Sequence, residues 1–321
     1  MARLLLWGAT SAVCLAFSAG AFAQEVKLRL VSFLPGNASF GIPAKRWVDE
    51  TNKRGKGILQ INMVGPEAIP VPEQANAVKT GVVDLYSGPP TFYHGTLMEA
   101  ETLTLSDMSI PELRKNGAWD YLNRLHAEKL NARLLAGFGD GVNFHVYTTK
   151  PANIADKARP LSGFTLRSTP AYTAFFQSLG AQTVPTAPGE VYTALERNMV
   201  QGYGWPLWGI KDLGWIKLTK YRYDPGFYNV SVNIMINLDR WKKLTTGQQD
   251  FLTEMSNWMD MEWPKWRAET AGIEEKIQKD AGVQVINLGP DHRKRAHDLS
   301  WNDLRAKSPQ HITHLMKLMR K

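Results

Sequence analysis

One helix–strand unit occurs twice in this chain. EQANAVKTGVVDLYSG (73–88) and EVYTALERNMVQGYGW (190–205) superimpose at a constant offset of 117. Glu73 then meets Glu190, Ala77 meets Ala194, Val78 meets Leu195, Val83 meets Val200 and Tyr86 meets Tyr203. Chance likeness between two helix–strand units is the competing explanation. A repeat this far apart in the chain predicts two lobes of related construction, each with the carboxyl ends of its strands turned toward a shared cleft.

The rest of the chain fits that plan. VKLRLVSF (26–33), ILQINMVG (58–65) and VVDLYSG (82–88) read as strands, with helices between them over the segments opened by Ser39 and over about 72–80. A helix over about 111–130 leads to strands at 132–138 and 143–149, and the second half repeats the alternation with strands at 164–168, 182–185 and 199–205. Strands alternating with helices at this spacing imply an α/β fold. YNVSVNIMINL (228–238) is apolar enough to return the chain to the first lobe. Thr245 and Thr246, three residues before Gln248 and Gln249, are capping-box candidates for a long helix that runs to about Asp280 and spans both lobes. Pro264 should kink or restart it. The expected lobes are 24–146 with about 232–270, and 147–231 with about 271–321, hinged near 146–149 and 230–236.

The first residues predict export. MARLLLWGATSAVCLAFSAGAFA has one basic residue, an apolar run and small residues at Ala21 and Ala23, the pattern of a signal peptide (1–23) cleaved after Ala23. The run is shorter than a spanning helix needs, and the expected location is the periplasm. Cys14 is the only cysteine, so nothing beyond the signal can form a disulfide or a cysteine metal site. The formal net charge of +8 is interleaved with acids along the chain, which argues for solubility and weak attraction of anions and against a nucleic-acid face.

The chemistry of an enzyme is missing: no G-x-S-x-G elbow, no Walker loop and no H-E-x-x-H. GFGDG (137–141) lacks the spacing of a phosphate loop and reads as a tight turn, and His311 and His314 read as a helix surface. No enzyme activity, cofactor or metal is expected. What stands out is Arg167, in FTLRSTP, at the carboxyl end of a core strand. A guanidinium buried there needs a partner. Either an internal acid such as Glu190 or Asp84 supplies it, or a ligand does.

These residues resemble a known family. The arginine-tipped strand GFTLRSTP, followed by SLGAQTVPTAPGEVYTALERNMVQG, is similar to the substrate-binding proteins of TRAP (tripartite ATP-independent periplasmic) transporters, the DctP-like family. ANAVKTGVVDLYSG resembles its first-lobe unit and YNVSVNIMINLDRW its return strand. The resemblance implies a two-lobe periplasmic binding protein (type II-like) with a ligand cleft between the lobes, whose partners are a small carboxylate and the membrane permease subunits. It also implies that Arg167 makes a bidentate pair with the substrate carboxylate.

The sequence departs from the sialic-acid members of that family. Asn143 stands where they have a second arginine, Phe33 where they have an asparagine, Pro89 in place of an acid, Trp205 in place of a late asparagine and Pro188 where an aromatic is usual. Tyr93 and Trp208 lie nearby in sequence. Unpaired buried polar groups on a ligand cost about 1–3 kcal/mol each, so a cleft of one arginine, an amide and rings suits an aromatic or otherwise apolar monocarboxylate. A dicarboxylate or 2-oxo acid receptor of the same system, and an ABC-type or sensor binding protein, are the alternatives.

Overall fold

The computed structural model describes residues 25–320; the expected signal segment and its cleavage point lie outside the described residues. Two sheets form the two lobes. In the first, β1 (Val26–Ser32) lies between β2 (Leu59–Val64) and β3 (Leu85–Gly88), both parallel to it. β4 (Ala132–Phe138) closes this sheet through β10 (Val232–Asn237), which runs antiparallel to both β3 and β4. All six residues of β10 are buried; Asn233 and Asn237, which break its apolar run, are satisfied by Tyr93 Oη and the Val78 carbonyl.

The second sheet has the order β11-β9-β5-β8-β6-β7. Its strands are β5 (Phe144–Thr148), β6 (Thr165–Ser168), β7 (Gln182–Pro185), β8 (Gly202–Pro206), β9 (Tyr221–Asp224) and β11 (Gln284–Asn287). β6 runs parallel to β7 and β8, and β5 runs antiparallel to β8 and β9. The sequence pattern did not mark β9 or β11. YRYD and QVIN are too short and too polar to show alternation, and β11 is an edge strand with three exposed residues.

The repeated unit is built the same way twice. The helices Val71–Lys79 and Val191–Glu196 end at equivalent positions, and β3 and β8 begin at equivalent positions. Between them, Gly81 (φ 77°) and Asn198 (φ 54°) occupy the left-handed region that glycine and asparagine tolerate. The amides of Val82 and Val83 both turn back to the carbonyl of Ala77, and those of Met199 and Val200 to that of Ala194. Tyr86 and Tyr203 are fully buried in the two sheets.

Three expectations need correction. Ser39 does not cap the helix Ile42–Arg54; its amide and hydroxyl bind the Asp212 carboxylate of the other lobe instead, the amide at 2.9 Å. The helix expected over 111–130 is two, Ile110–Lys115 and Ala118–Leu130, because Gly117 sits at φ 85° between them. The long helix Thr246–Thr270 opens on the Thr245–Gln248 capping box and runs through Pro264 without restarting. It breaks at Gly272 (φ 78°), after which Ile273–Asp280 is a separate helix. It packs along β4 and also reaches the second lobe, where Trp263 meets Trp208 with ring centroids 5.7 Å apart.

The chain crosses between neighbouring strands of the two sheets at 139–143 and 225–231, earlier than the hinge positions read from sequence, which fall largely inside β5 and β10; a third link runs from β10 through the long helix to β11. GFGDG is the turn that begins the first crossing, with Gly139 and Gly141 both at positive φ and the Val142 amide closing onto Gly139. The two crossings pair with each other: Asn143 and Asn229 form an antiparallel bridge, flanked by bonds from Phe144 to Tyr228 and from Val230 to Val142. Among the described residues, no helix is long and apolar enough to cross a membrane.

Candidate functional site

A narrow cavity lies where the two sheets face each other. Its walls come from the residues that follow or end the strands: Phe33 after β1, Pro89 after β3, Arg167 and Thr169 at the end of β6, and Trp205 and Pro206 in β8. Phe40, Phe92, Phe144, Tyr172 and Tyr228 complete a largely aromatic lining. Phe33 and Phe92 pack with centroids 6.0 Å apart, and Phe144 and Tyr172 at 5.9 Å. Water centres can occupy about 40 Å³ of this space. One water needs about 10–15 Å³ on that measure, so with the lobes at this separation only something small or flat fits.

Arg167 is 1% exposed, yet none of its bonded partners is charged. Its Nε donates to the Thr186 carbonyl at 2.9 Å. Nη1 donates to the Tyr172 hydroxyl at 2.6 Å and to the Gly204 carbonyl at 3.3 Å. Tyr172 in turn donates to Gly204 at 3.0 Å, and burial raises its phenol pKa against the opposing pull of the arginine, so it stays neutral. The internal acids considered as partners are elsewhere. Asp84 pairs with Arg240 at 3.2 Å, and Glu190 is exposed at the start of the helix Val191–Glu196. Nη2 has no partner among the described residues. Three neutral acceptors hold the guanidinium in place and leave only Nη2 free.

Other polar atoms of the same cavity are also buried and unpaired: Thr91 Oγ1, Glu101 Oε2 and the indole nitrogen of Trp205; the Thr169 hydroxyl lies beside that of Tyr172. The Trp205 ring lies 5.6 Å from the guanidinium carbon, within cation–π range. Leaving such groups unsatisfied costs about 1–3 kcal/mol each.

The cavity gathers four of the residues singled out by sequence, Phe33, Pro89, Arg167 and Trp205, and leaves out four. Tyr93 is turned into the first lobe, bonded to His126 at 3.1 Å and Asn233 at 3.2 Å. Trp208 stacks on Phe40 and lines a separate recess with Trp263 and Trp266. Asn143 belongs to the first crossing and accepts from Arg293 at 3.3 Å. Pro188 is buried in the turn that precedes the helix Val191–Glu196. Tyr93 ends the 3-10 turn Pro90–Tyr93, whose Thr91 and Phe92 do line the cavity, but its own ring packs inward against Tyr86 and His126; Trp208 packs on Phe40 and Trp263 instead. Glu101 and Tyr228 were missed: no local pattern marks a glutamate in MEAETLTL, and Tyr228 is exposed to the cavity only through the path of the second crossing. Among the described residues no three His, Cys, Asp or Glu side chains gather where they could hold a metal. His311 and His314 lie against Tyr121 on the helix Pro309–Met319.

Solved structures share this architecture. A TRAP periplasmic solute binding protein from Desulfovibrio salexigens with bound orotic acid matches with a TM-score of 0.81 at 17% identity, covering 92% of this chain and 97% of that one. A TRAP transporter solute binding protein from Bordetella bronchiseptica, with copurified calcium and picolinate, matches at 0.79 and 20% identity, covering 92% of each chain. An extracytoplasmic solute receptor of Bordetella pertussis binding pyroglutamic acid matches at 0.77 and 18%, covering 92% of this chain and 100% of that one. The family model for bacterial extracellular solute-binding proteins, family 7 (DctP), matches residues 112–306, more than half of the sequence. The chain belongs to that DctP family, and its fold is that of TRAP periplasmic solute-binding proteins.

Proposed function

We propose that this protein is the extracytoplasmic receptor of a TRAP transporter, which closes on an organic monocarboxylate with a flat, apolar body and delivers it to the membrane permease subunits. It acts by saturable binding without turnover. The observation that carries the reading is Arg167: a buried guanidinium, pinned by neutral groups, with its free Nη2 in an aromatic cavity. The ligand carboxylate supplies the missing anion. Because Nε and Nη1 are engaged, the carboxylate meets Nη2 rather than a fully open fork. Phe33 and Trp205 provide ring faces, and Pro89 a flat wall.

Burying one flat ring of about 100–150 Å² contributes roughly 3 kcal/mol, and stacking on an indole about 1 kcal/mol more. Structural relatives hold flat ring acids, orotic acid and picolinate, as well as pyroglutamic acid, galactonate and malonate, so the planar ligand is read from this cavity's own lining. The test is calorimetric titration of the exported form with benzoate and cinnamate beside succinate and a sialic acid. The aromatic acids should bind more tightly and change the tryptophan fluorescence, with that change reduced in Trp205→Ala. Tight succinate or sialic acid binding with no response to any aromatic acid would overturn the reading.

A further inference from the structure

Arg167 accounts for one charge in the cavity; Glu101 is the other. It sits in the 3-10 turn Met98–Glu101, is 2% exposed and lines the same space. Its Oε1 lies 3.3 Å from Nδ1 of His94, while Oε2 is buried without a donor. Glu99, two residues earlier, offers a comparison. It also leaves Oε2 unpaired, but Lys129 at 2.7 Å balances its charge, Ser308 donates to it at 2.6 Å, and it lies outside the cavity. No lysine or arginine pairs with Glu101 among the described residues, and it makes no ion pair with Arg167 although both border one cavity.

A narrow space with a guanidinium and a separate carboxylate on its walls selects a molecule with two different polar groups. We propose that the ligand is a monocarboxylate carrying an O–H or N–H donor away from its carboxylate, and that Glu101 accepts that donor. The inference rests on the reading of Arg167 as the carboxylate anchor. A hydrogen bond to a charged acceptor in a desolvated site discriminates by roughly tenfold to a hundredfold against an analogue that lacks the donor. The same carboxylate acts against dicarboxylates, because a second anionic group would face Glu101 with like charge and no cation to meet it.

The experiment titrates wild type, Glu101→Gln and Arg167→Lys with five acids that share one ring: benzoate, 3- and 4-hydroxybenzoate, 4-methoxybenzoate and terephthalate. Wild type should bind a hydroxybenzoate at least tenfold more tightly than benzoate or the methoxy acid, which has the added bulk without the donor, and should bind terephthalate most weakly. In Glu101→Gln the ratio of hydroxybenzoate to benzoate affinity should shrink severalfold, and the handicap of terephthalate relative to benzoate should fall. Equal affinity for benzoate and both hydroxybenzoates in wild type overturns the role of Glu101, and so does a preference that Glu101→Gln leaves intact. The wild-type series decides the matter even if the variant fails to fold. Failure of the anchor looks different: benzoate would bind Arg167→Lys as well as wild type, or no ring acid would bind wild type at all.

Discussion

On the proposed reading, Arg167 is buried for ligand binding at a tolerable cost to the fold. Three neutral acceptors satisfy part of its fork, so the free protein leaves only Nη2 without a partner. Lysine cannot reproduce that arrangement, because a single ammonium cannot reach Thr186, Tyr172 and a ligand at once. Arg167→Lys should therefore weaken binding of the preferred acid by about 2–5 kcal/mol in calorimetry, and near wild-type affinity would reject the anchor. Asp140 is a second buried charge, in the first crossing. Burial pushes its carboxyl up to about 6 against the attraction of Arg267, while its carbonyl accepts from Trp263 and Arg267 at 3.0 Å each. A raised folded pKa means its stability contribution is intact below the unfolded value near 4 and is lost as pH rises through about 6. Asp140→Asn should raise the melting temperature at pH 7.5, and the gain should vanish near pH 4. Sequence could find Arg167, because a charge at the end of an apolar strand breaks a visible pattern. It could not find Glu101 or Asp140, whose burial is decided by turns that fold over them.

At the scale of elements, the alternating pattern was legible wherever both ends of a segment carried a physical signal. The long helix is the clearest case, with its Thr245–Gln248 capping box readable directly from spacing. Thr245→Ala should lower stability by about 1 kcal/mol in denaturant unfolding, and Thr246→Ala, outside the box, should cost much less. The repeat was legible for the same reason. Helix, left-handed turn and strand recur in step because Gly81 and Asn198 can each take positive φ where the chain reverses. What the sequence hid were breaks and edges. Gly117 and Gly272 interrupt helical periodicity without a change in polarity, and β9 and β11 are too short to display any. At Pro264 the helix continues, as its spacing suggested, and does not restart.

For the whole molecule, the lobes touch outside the cavity as well as around it. Ser39 of the first lobe donates twice to Asp212 of the second, and Phe40 stacks on Trp208 at 5.9 Å. These contacts favour the closed arrangement, so Asp212→Ala should weaken ligand binding chiefly by faster dissociation in stopped-flow measurements, with the association rate nearly unchanged. Ligand should make the particle more compact in small-angle scattering, with the hinge at 139–143 and 225–231; an identical profile at saturation would rule closure out. The pairing of those two crossings through Asn143 and Asn229 has a mechanical consequence. Two strands laced by main-chain hydrogen bonds form a ribbon, stiff against shear in its own plane and compliant to bending across it. Such a joint bends more readily than it shears, beside the third link made by the helix Thr246–Thr270. A membrane partner that gripped both lobes would then release the cargo with least force by bending the ribbon, and the farther from the ribbon it pushed, the smaller the force required.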